Sequence, residues 1–215
     1  MKTLRFSIAL LLVAAMFTPT ETSAQTVIGV KGGIGIANLS LSESADELNL
    51  SSRTTFTGGG FATFGLGEMF FLQPEVLYAP KGAKGDIEGV EATFALDYIE
   101  IPVLIGAAFD LGGSSVKPRV FAGPSVAFEI GCDVSGTESG VSVSFDCSEL
   151  ELETKSVDFG LVFGAGVAFP LGSVQLIIDG RYDLGLSDIN DFEGDDESIK
   201  NNAWQFMAGV GFPIG

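Results

Sequence analysis

The sequence contains no histidine, and only 2 of its 215 residues are cysteine. Without histidine, the chain cannot form the Ser-His-Asp or Cys-His pairs that activate many protein nucleophiles. Two cysteines without histidine also make a poor zinc site. We therefore expect a protein that is not an enzyme and that has neither a cofactor nor a metal site.

Charged residues are scarce, and basic ones are the scarcest. Charged residues make up 18% of the chain and hydrophobic residues 46%, whereas soluble domains carry about 25% charge. There are 11 Lys+Arg against 28 Asp+Glu, which gives a net charge of -17. Such a chain repels phosphates, so we expect no nucleic-acid partner. Glycine is abundant at 29 residues, and phenylalanine at 18.

The N-terminus has the layout of a cleavable signal peptide. Lys2 and Arg5 precede an apolar run over residues 6–17, and small residues stand before position 25. The run is too short to cross a membrane as a helix, and a buried N-terminal helix is the alternative. The sequence thus predicts a signal peptide at 1–24 and one domain at 25–215.

Export makes a disulfide the expected state of the two cysteines. Cys132 and Cys147 are an even pair in an exported chain, which favours a disulfide between them. The bond would close a loop of about 15 residues and contribute roughly 3 kcal/mol in the chain-entropy model.

The longest charge-free stretch, residues 159–178, allows two interpretations. Its 20 residues could form a membrane-spanning helix with a Gly160-x-x-x-Gly164 dimer motif. However, residues 170–173 read Pro-Leu-Gly-Ser, which is turn chemistry, and large apolar residues alternate with small ones on both sides. We favour two strands joined by a tight turn.

The same period-two alternation predicts eight strands along the chain. They lie at about 27–39, 53–66, 69–81, 92–109, 117–130, 154–170, 174–187 and 201–213. Short links near 67–68, 111–116 and 171–173 alternate with long, acidic links near 40–52, 82–91, 131–153 and 188–200. Short periplasmic turns and long external loops are typical of outer-membrane barrels. The pattern predicts an all-β, eight-stranded, antiparallel up-and-down transmembrane β-barrel with both termini in the periplasm.

Aromatic residues of the apolar phase gather at two heights, as expected for membrane interfaces. The expected outer girdle comprises Phe56, Tyr78, Phe128, Phe159, Tyr182 and Trp204. The expected periplasmic girdle comprises Phe64, Phe70, Phe109, Phe169 and Phe212. The alternative is a soluble β-sandwich core, which gives no reason for aromatic residues at both ends of one face.

The opposite phase carries charged residues that a barrel would turn inward. The predicted lumenal polar network comprises Lys31, Glu75, Glu100, Arg119, Asp179 and Arg181. We expect Arg181 to be its central cation, with Lys31 and Arg119 nearer the periplasm. An eight-stranded barrel is filled by its own side chains, so the network is interpreted as a plug. A transport path, or an acid/base pair of Glu75 and Glu100, is the alternative.

Three features do not follow the simple pattern. Asp97 shares the phase of Ile99, and Phe94 is out of phase with the outer aromatic residues, so we expect either a β-bulge in this strand or a membrane-spanning part that starts later in it. The acidic run at 188–197 could attract Ca²⁺, but it lacks the ligand spacing of a dedicated calcium loop. A solvated acidic loop is the simpler interpretation.

Six segments in order carry a family resemblance. They are VIGVKGGIGIANL (27–39), FLQPEVLYAPKG (71–82), DYIEIPVL (97–104), VFAGP (120–124), FGAG (163–166) and GRYDLGLS (180–187). The set resembles the bacterial outer-membrane β-barrel domain known as "porin family protein", which is related in shape to small OmpA- and OmpX-like barrels. The resemblance implies an eight-stranded barrel in the outer membrane of a diderm bacterium. Despite the family's label, it does not by itself imply a conducting pore.

The expected function is a structural or surface-interaction role. The expected partners are outer-membrane lipid, the barrel-assembly machinery and an extracellular ligand or protein at the long loops, and the expected state is a monomer. Two alternatives remain open. One is a small diffusion pore or transporter, and the other is a soluble, lipocalin-like barrel that binds an apolar ligand.

Overall fold

The computed structural model describes residues 26–41, 50–87, 90–112, 115–138, 141–150, 154–189 and 198–214. These residues form ten strands: β1 (Thr26–Leu41), β2 (Leu50–Leu66), β3 (Phe70–Tyr78), β4 (Lys81–Ile87), β5 (Val90–Ala108), β6 (Lys117–Glu138), β7 (Val141–Asp146), β8 (Val157–Leu171), β9 (Val174–Gly185) and β10 (Ile199–Ile214). A 3₁₀ turn at Cys147–Leu150 follows β7. Among the described residues, no helix has the length and apolar character to cross a membrane.

The strand pairings close into a ring of eight positions. β1 pairs with both β2 and β10, and β5, β6, β8, β9 and β10 pair in that order. β3 and β4 together fill the place between β2 and β5, because both pair with these two neighbours. Every pairing is antiparallel. β7 pairs with β6 beyond the ring. The predicted eight-stranded up-and-down barrel is therefore confirmed.

The charge-free stretch at 159–178 belongs to β8 and β9, which pair from Gly160–Gly185 to Leu171–Val174. The helix alternative is wrong for this stretch. The turn between the strands is tight because Gly172 has a φ of 65°, a conformation that side chains with a Cβ rarely adopt. Gly67, with a φ of 76°, serves the turn after β2 in the same way.

We call the end of the barrel with these tight turns, where the described chain begins at Thr26 and ends at Ile214, the turn end, and the opposite end the loop end. At the loop end, the predicted links at 82–91 and 131–153 contain more strand than expected. β4 and β5 pair as far as Ile87–Val90, and β6 and β7 as far as Glu138–Val141. These hairpin arms are rich in Gly, Ser, Thr and acidic residues. β7 alternates apolar residues with Ser and Asp, but the other arms are mainly Gly and polar residues, so their sequence resembles loops.

Side chains alternate between the two faces of the wall. In β5, Val103 and Ile105 are exposed on the outer face, while Glu100 and Leu104 are fully buried inside. Val30 on β1 is 64% exposed, as an apolar side chain on the lipid-facing surface of a barrel would be. Two strands thus show the expected phase directly: apolar residues face outward, and polar residues face inward.

The wall is irregular beside Asp97, as expected, but the extra residue lies in the neighbouring strand. The β6 partners of Asp97 and Tyr98 are two positions apart, which leaves Ile130 of β6 without a partner in β5. β5 itself keeps its phase, so Asp97 remains on the outer face. The Tyr78 hydroxyl donates a hydrogen bond of 2.9 Å to its carboxylate.

Some glycines of the wall make room for large side chains inside. A Cβ at Gly164 would lie 2.7 Å from Arg181 Cβ, and a Cβ at Gly209 would lie 2.7 Å from Lys31 Cβ. Both distances are too short for real side chains. The glycine-rich composition therefore allows buried cations to fit inside a narrow barrel.

Candidate functional site: the barrel interior

The buried charges form two layers across the interior. The turn-side layer comprises Lys31, Gln73, Glu75, Arg119, Asp179 and Arg181, all of them buried. Glu75 is its central anion, because one oxygen lies 2.6 Å from Lys31 Nζ and the other lies 2.9 Å from Arg181 Nη1. The Glu75 carboxylate is thus the shared counter-ion of Lys31 and Arg181.

Gln73 and Asp179 complete the turn-side layer. Gln73 Nε2 donates to Glu75 Oε1 at 2.6 Å, and Gln73 Oε1 accepts from Arg119 Nη2 at 2.7 Å. Asp179 lies farther from the cations, at 3.4 Å from Lys31 Nζ and 3.7 Å from Arg119 Nε. Among the described residues, the layer holds three cations and two carboxylates.

One of these contacts spans the full width of the barrel. In the ring, β3 and β9 are four positions apart, and so they face each other across the interior. The ion pair between Glu75 of β3 and Arg181 of β9 therefore crosses the lumen. Arg181 has no exposed surface.

The loop-side layer has the opposite charge balance. Lys81 Nζ lies 2.7 Å from Asp183 Oδ2, 3.4 Å from Glu100 Oε2 and 3.8 Å from Asp158 Oδ2. Lys81 follows β3 in the third barrel position, and Asp183 is on β9, so this contact also crosses the interior. Within the described ranges, one cation here faces three carboxylates.

Several oxygens of the loop-side layer accept no hydrogen bond. Both carboxylate oxygens of Glu100 and of Asp183 are buried without a hydrogen-bond partner in the described part of the chain. Lys81 is close to Asp183 Oδ2, but it approaches outside hydrogen-bond geometry, so we treat the contact as an ion pair. Asp158 is better satisfied, because Ser187 Oγ donates to it at 2.6 Å and Asn201 Nδ2 at 3.0 Å.

An apolar cap lies on the loop side of this layer. Its buried residues are Leu96, Tyr98, Ala127, Cys132, Cys147 and Ile189, against which Leu39, Phe94, Val134 and Ile199 pack. Cys132 and Cys147 form a disulfide. Phe94 thus faces inward and belongs to the cap rather than to the outer aromatic residues. The disulfide links the two arms of the β6–β7 hairpin at its base, and both cysteines belong to the cap.

A vestibule opens at the turn end. This cavity has a volume of about 670 Å³ and lies between the tight turns. Val27, Phe71, Ala168 and Arg119 are its buried lining residues, and exposed residues such as Glu68 line its outer part. Among the described residues, this cavity therefore occupies the turn end of the interior, and the two charged layers and the apolar cap lie farther along it.

The structure brings together five of the six residues predicted for the polar network. Lys31 lies in the same layer as Glu75, because the two are in direct contact, rather than nearer the turn end as expected. Glu100 lies apart, next to Lys81. Glu75 and Glu100, the alternative acid/base pair, lie in different layers, each next to its own cation.

Sequence reasoning missed Lys81 as a lumenal cation. Lys81 was placed at the end of a strand and next to a predicted loop. The inward phase of Glu75 and Leu77 nevertheless continues through Ala79 to Lys81, all of them buried. Following that phase across Pro80 would have identified it. Gln73, which links Arg119 to Glu75, was missed because a neutral amide gave no charge signal.

The predicted aromatic residues lie on the outer face. All eleven are exposed or half-buried there. In the outer set, the Tyr182 ring lies 4.9 Å from Trp204 and 5.5 Å from Phe163, a neighbour that the prediction did not include. These contacts form an aromatic row across β8, β9 and β10.

Two predictions lie outside the described residues. The signal peptide at 1–24 is one, and most of the acidic run at 188–197 is the other. On the described hairpin, hydrogen bonds from the Ser148 hydroxyl and backbone N–H lower the pKa of the exposed Asp146 carboxyl.

Comparison with solved structures gives the same architecture. Neisserial surface protein A matches with a TM-score of 0.51 and 18% identity, over 87% of this chain and 97% of that one. OprG of Pseudomonas aeruginosa matches with a TM-score of 0.51 and 13% identity, over 89% and 96%. A major outer membrane protein of Thermus thermophilus also has a TM-score of 0.51, at 11% identity, over 90% and 100%.

At these identities the structural matches establish the fold. No curated protein sequence matches the chain. The family model for the outer membrane protein beta-barrel domain matches residues 23–191, which is most of the chain. The soluble, lipocalin-like alternative also fails on the geometry, because Glu75 and Arg181 are inside and the apolar face is outside. The chain therefore belongs to the outer-membrane β-barrel domain family.

Proposed function

We propose that this protein is a non-catalytic scaffold of the outer membrane, with a lumen plugged by its own side chains. It presents the acidic segments of its loop end to the outside of the cell. The observation that carries the proposal is the contact between Arg181 and Glu75, which joins opposite walls of the barrel at 2.9 Å. A water-filled path cannot run through the point where these side chains meet.

Two further layers support a closed lumen. The contact between Lys81 and Asp183 also joins opposite walls, at 2.7 Å. Beyond it, the apolar cap excludes water from the loop end, since its residues are buried among one another. An ion that entered from the vestibule would meet both charged layers and then the cap.

The orientation of the barrel follows from its connections. Outer-membrane barrels keep short turns in the periplasm and long connections outside. The turn end, with both chain termini, therefore faces the periplasm, and the β6–β7 hairpin faces outward. A signal peptide at residues 1–24 would direct the export that this position requires.

The chemistry of the exposed hairpin indicates its class of partner. Between Gly131 and Leu150, every charged residue is acidic: Asp133, Glu138, Asp146 and Glu149. Val143 and Phe145 are exposed nearby. A ligand or protein with a basic surface fits this hairpin, whereas nucleic acid does not. The barrel wall itself has lipid as its partner and the assembly machinery as its route into the membrane, as a monomer.

Planar-bilayer recording tests the plugged lumen against the diffusion-pore alternative. We expect the folded wild-type protein to give no stable conductance steps. A variant in which Glu75, Arg181, Lys81 and Asp183 are all replaced by Ala, which removes the contacts across both charged layers, should conduct more often than the wild type. Asp110→Asn, which changes an exposed residue at the turn end, is the matched control and should stay silent. Stable open steps from the wild type would refute the plug and favour the pore.

A further inference from the structure

We propose that the vestibule at the turn end is a binding site for a small amphipathic carboxylate, whose head binds Arg119. The proposed ligand is a medium-chain fatty acid or a molecule of the same chemistry. This site is separate from the surface role at the loop end, and neither proposal depends on the other.

Arg119 lies at the inner end of the vestibule, where its guanidinium contacts two aromatic rings. Its guanidinium carbon lies 4.5 Å from the centre of the Phe71 ring and 5.4 Å from that of Phe121. Arg119 is 4% exposed and lines the cavity. Two aromatic rings thus contact the guanidinium and restrict its position.

The hydrogen-bonding capacity of Arg119 exceeds what its neighbours use. A guanidinium has five N–H donors. Nη2 donates to Gln73, and Nε, buried beside Asp179, has no hydrogen-bond partner among the described residues, so a bound carboxylate is expected to use the remaining N–H groups of Nη1 and Nη2. The neighbouring carboxylate, Asp179 Oδ1, is 3.7 Å from Nε, which is too far for a hydrogen bond.

The charge balance of the interior also favours an anion at this end. In the described residues, the turn-side layer has one more cation than carboxylates, and the loop-side layer has two more carboxylates than cations. The interior is therefore positive toward the vestibule and negative toward the loops. Of the turn-side cations, Arg119 is the one that lines the vestibule, so a bound carboxylate would neutralise the surplus charge.

The other residues that line the vestibule favour a ligand with an apolar body and a single charged group. Val27, Phe71 and Ala168 give the inner wall an apolar surface. Glu68 lies toward the mouth, where it disfavours a second anionic group and orients the head inward, whereas the Asp110 carboxylate at the mouth is paired with Lys117. The volume of about 670 Å³ is ample for an alkyl chain of eight carbons.

Titration with octanoate tests the site directly. The full protein, folded in phosphatidylcholine nanodiscs, is titrated with carboxyl-¹³C octanoate by calorimetry and NMR, with empty nanodiscs as the reference for partitioning. We expect saturable binding of one octanoate. Octylamine should not bind, and acetate, which lacks the apolar body, should bind at least tenfold more weakly. Octanoate signals identical to those of empty nanodiscs would overturn the proposal.

Three variants locate the binding. Arg119→Gln should weaken octanoate binding at least tenfold. Ala168→Phe, which fills the vestibule and keeps Arg119, should abolish it. Lys117→Gln is the control at the mouth, where Lys117 is exposed and pairs with Asp110, and should change affinity less than threefold. Folding of each variant is checked by its band shift on boiling. Loss of binding in Lys117→Gln alone, or unchanged binding in Ala168→Phe, would refute the proposed site.

Discussion

Replacing Glu75 by Gln tests whether the turn-side layer holds the barrel together as described. Glu75 is the counter-ion of both Lys31 and Arg181, and Gln is almost identical in shape. After the substitution, three buried cations of the described layer face the single carboxylate of Asp179. Breaking a buried ion pair by removing one partner costs about 3–5 kcal/mol, because the remaining charge is left uncompensated. We expect a loss of this size in the free energy of unfolding.

The charge balance of the turn-side layer predicts that replacing one of its cations costs less stability than replacing Glu75. Arg181→Met leaves two cations and two carboxylates in the described layer, and Lys31 still pairs with Glu75. It should therefore cost less than Glu75→Gln. Combining the two substitutions should cost less than their sum, with a coupling energy of about 0.5–3 kcal/mol, since the residues are in contact.

Urea unfolding of the protein in lipid vesicles measures these differences. Trp204 is the one tryptophan of the chain, and it lies half-exposed on the outer face, so its emission reports transfer from lipid to water. Asp110→Asn is the matched control, because its ion pair with Lys117 is solvent-exposed and contributes less than about 1 kcal/mol. Equal effects of Glu75→Gln and Asp110→Asn would refute a dry, paired interior.

Three other predictions concern the wall, the disulfide and the hairpin. Val30→Arg should cost about 2–4 kcal/mol in the same unfolding assay, because Val30 faces lipid. Asn38→Arg, on the same face but near the loop end, should cost almost nothing. Equal costs for the two substitutions would contradict the register. Replacing both Cys132 and Cys147 by Ser should cost about 3 kcal/mol, with reduction of the wild type as the comparison. Ser148→Ala should raise the pKa of Asp146 toward its ordinary value in an NMR titration. The wild-type turn should loosen as the pH falls through that lowered pKa, and an unchanged titration in Ser148→Ala would contradict the hydrogen bonds.

The sequence was most informative where alternation and turn chemistry coincide. β8 and β9 could be predicted within a few residues, because large and small residues alternate on both sides of Gly172. The outward phase of Phe56 and Trp204 followed from the same period. The inward phase of Arg181 followed as well, since a charge cannot face lipid without a large cost.

The parts that could not be predicted depend on contacts between distant strands. The local sequence does not show that Lys31 and Glu75 are in contact. Their relative position along the barrel axis depends on the register of the strand pairings between β1 and β3. Lys81 was not recognised as an inward-facing residue because it follows Pro80, and a proline at this position indicates the start of a loop. β7 was not predicted although its apolar and polar residues alternate, because it is only six residues long and lies within an acidic stretch rich in Gly and Ser.

Surface labelling in intact cells is the most direct test of an outer-membrane barrel in the orientation described. Ser144→Cys on the exposed hairpin and Glu68→Cys at the turn end each add one reactive thiol, while the native cysteines remain in their disulfide. We predict that a membrane-impermeant maleimide labels Ser144→Cys in intact cells, and Glu68→Cys only after permeabilisation. Both proteins should be in the outer-membrane fraction and shift on boiling. Labelling of Glu68→Cys in intact cells, or a band that boiling does not shift, would contradict the account.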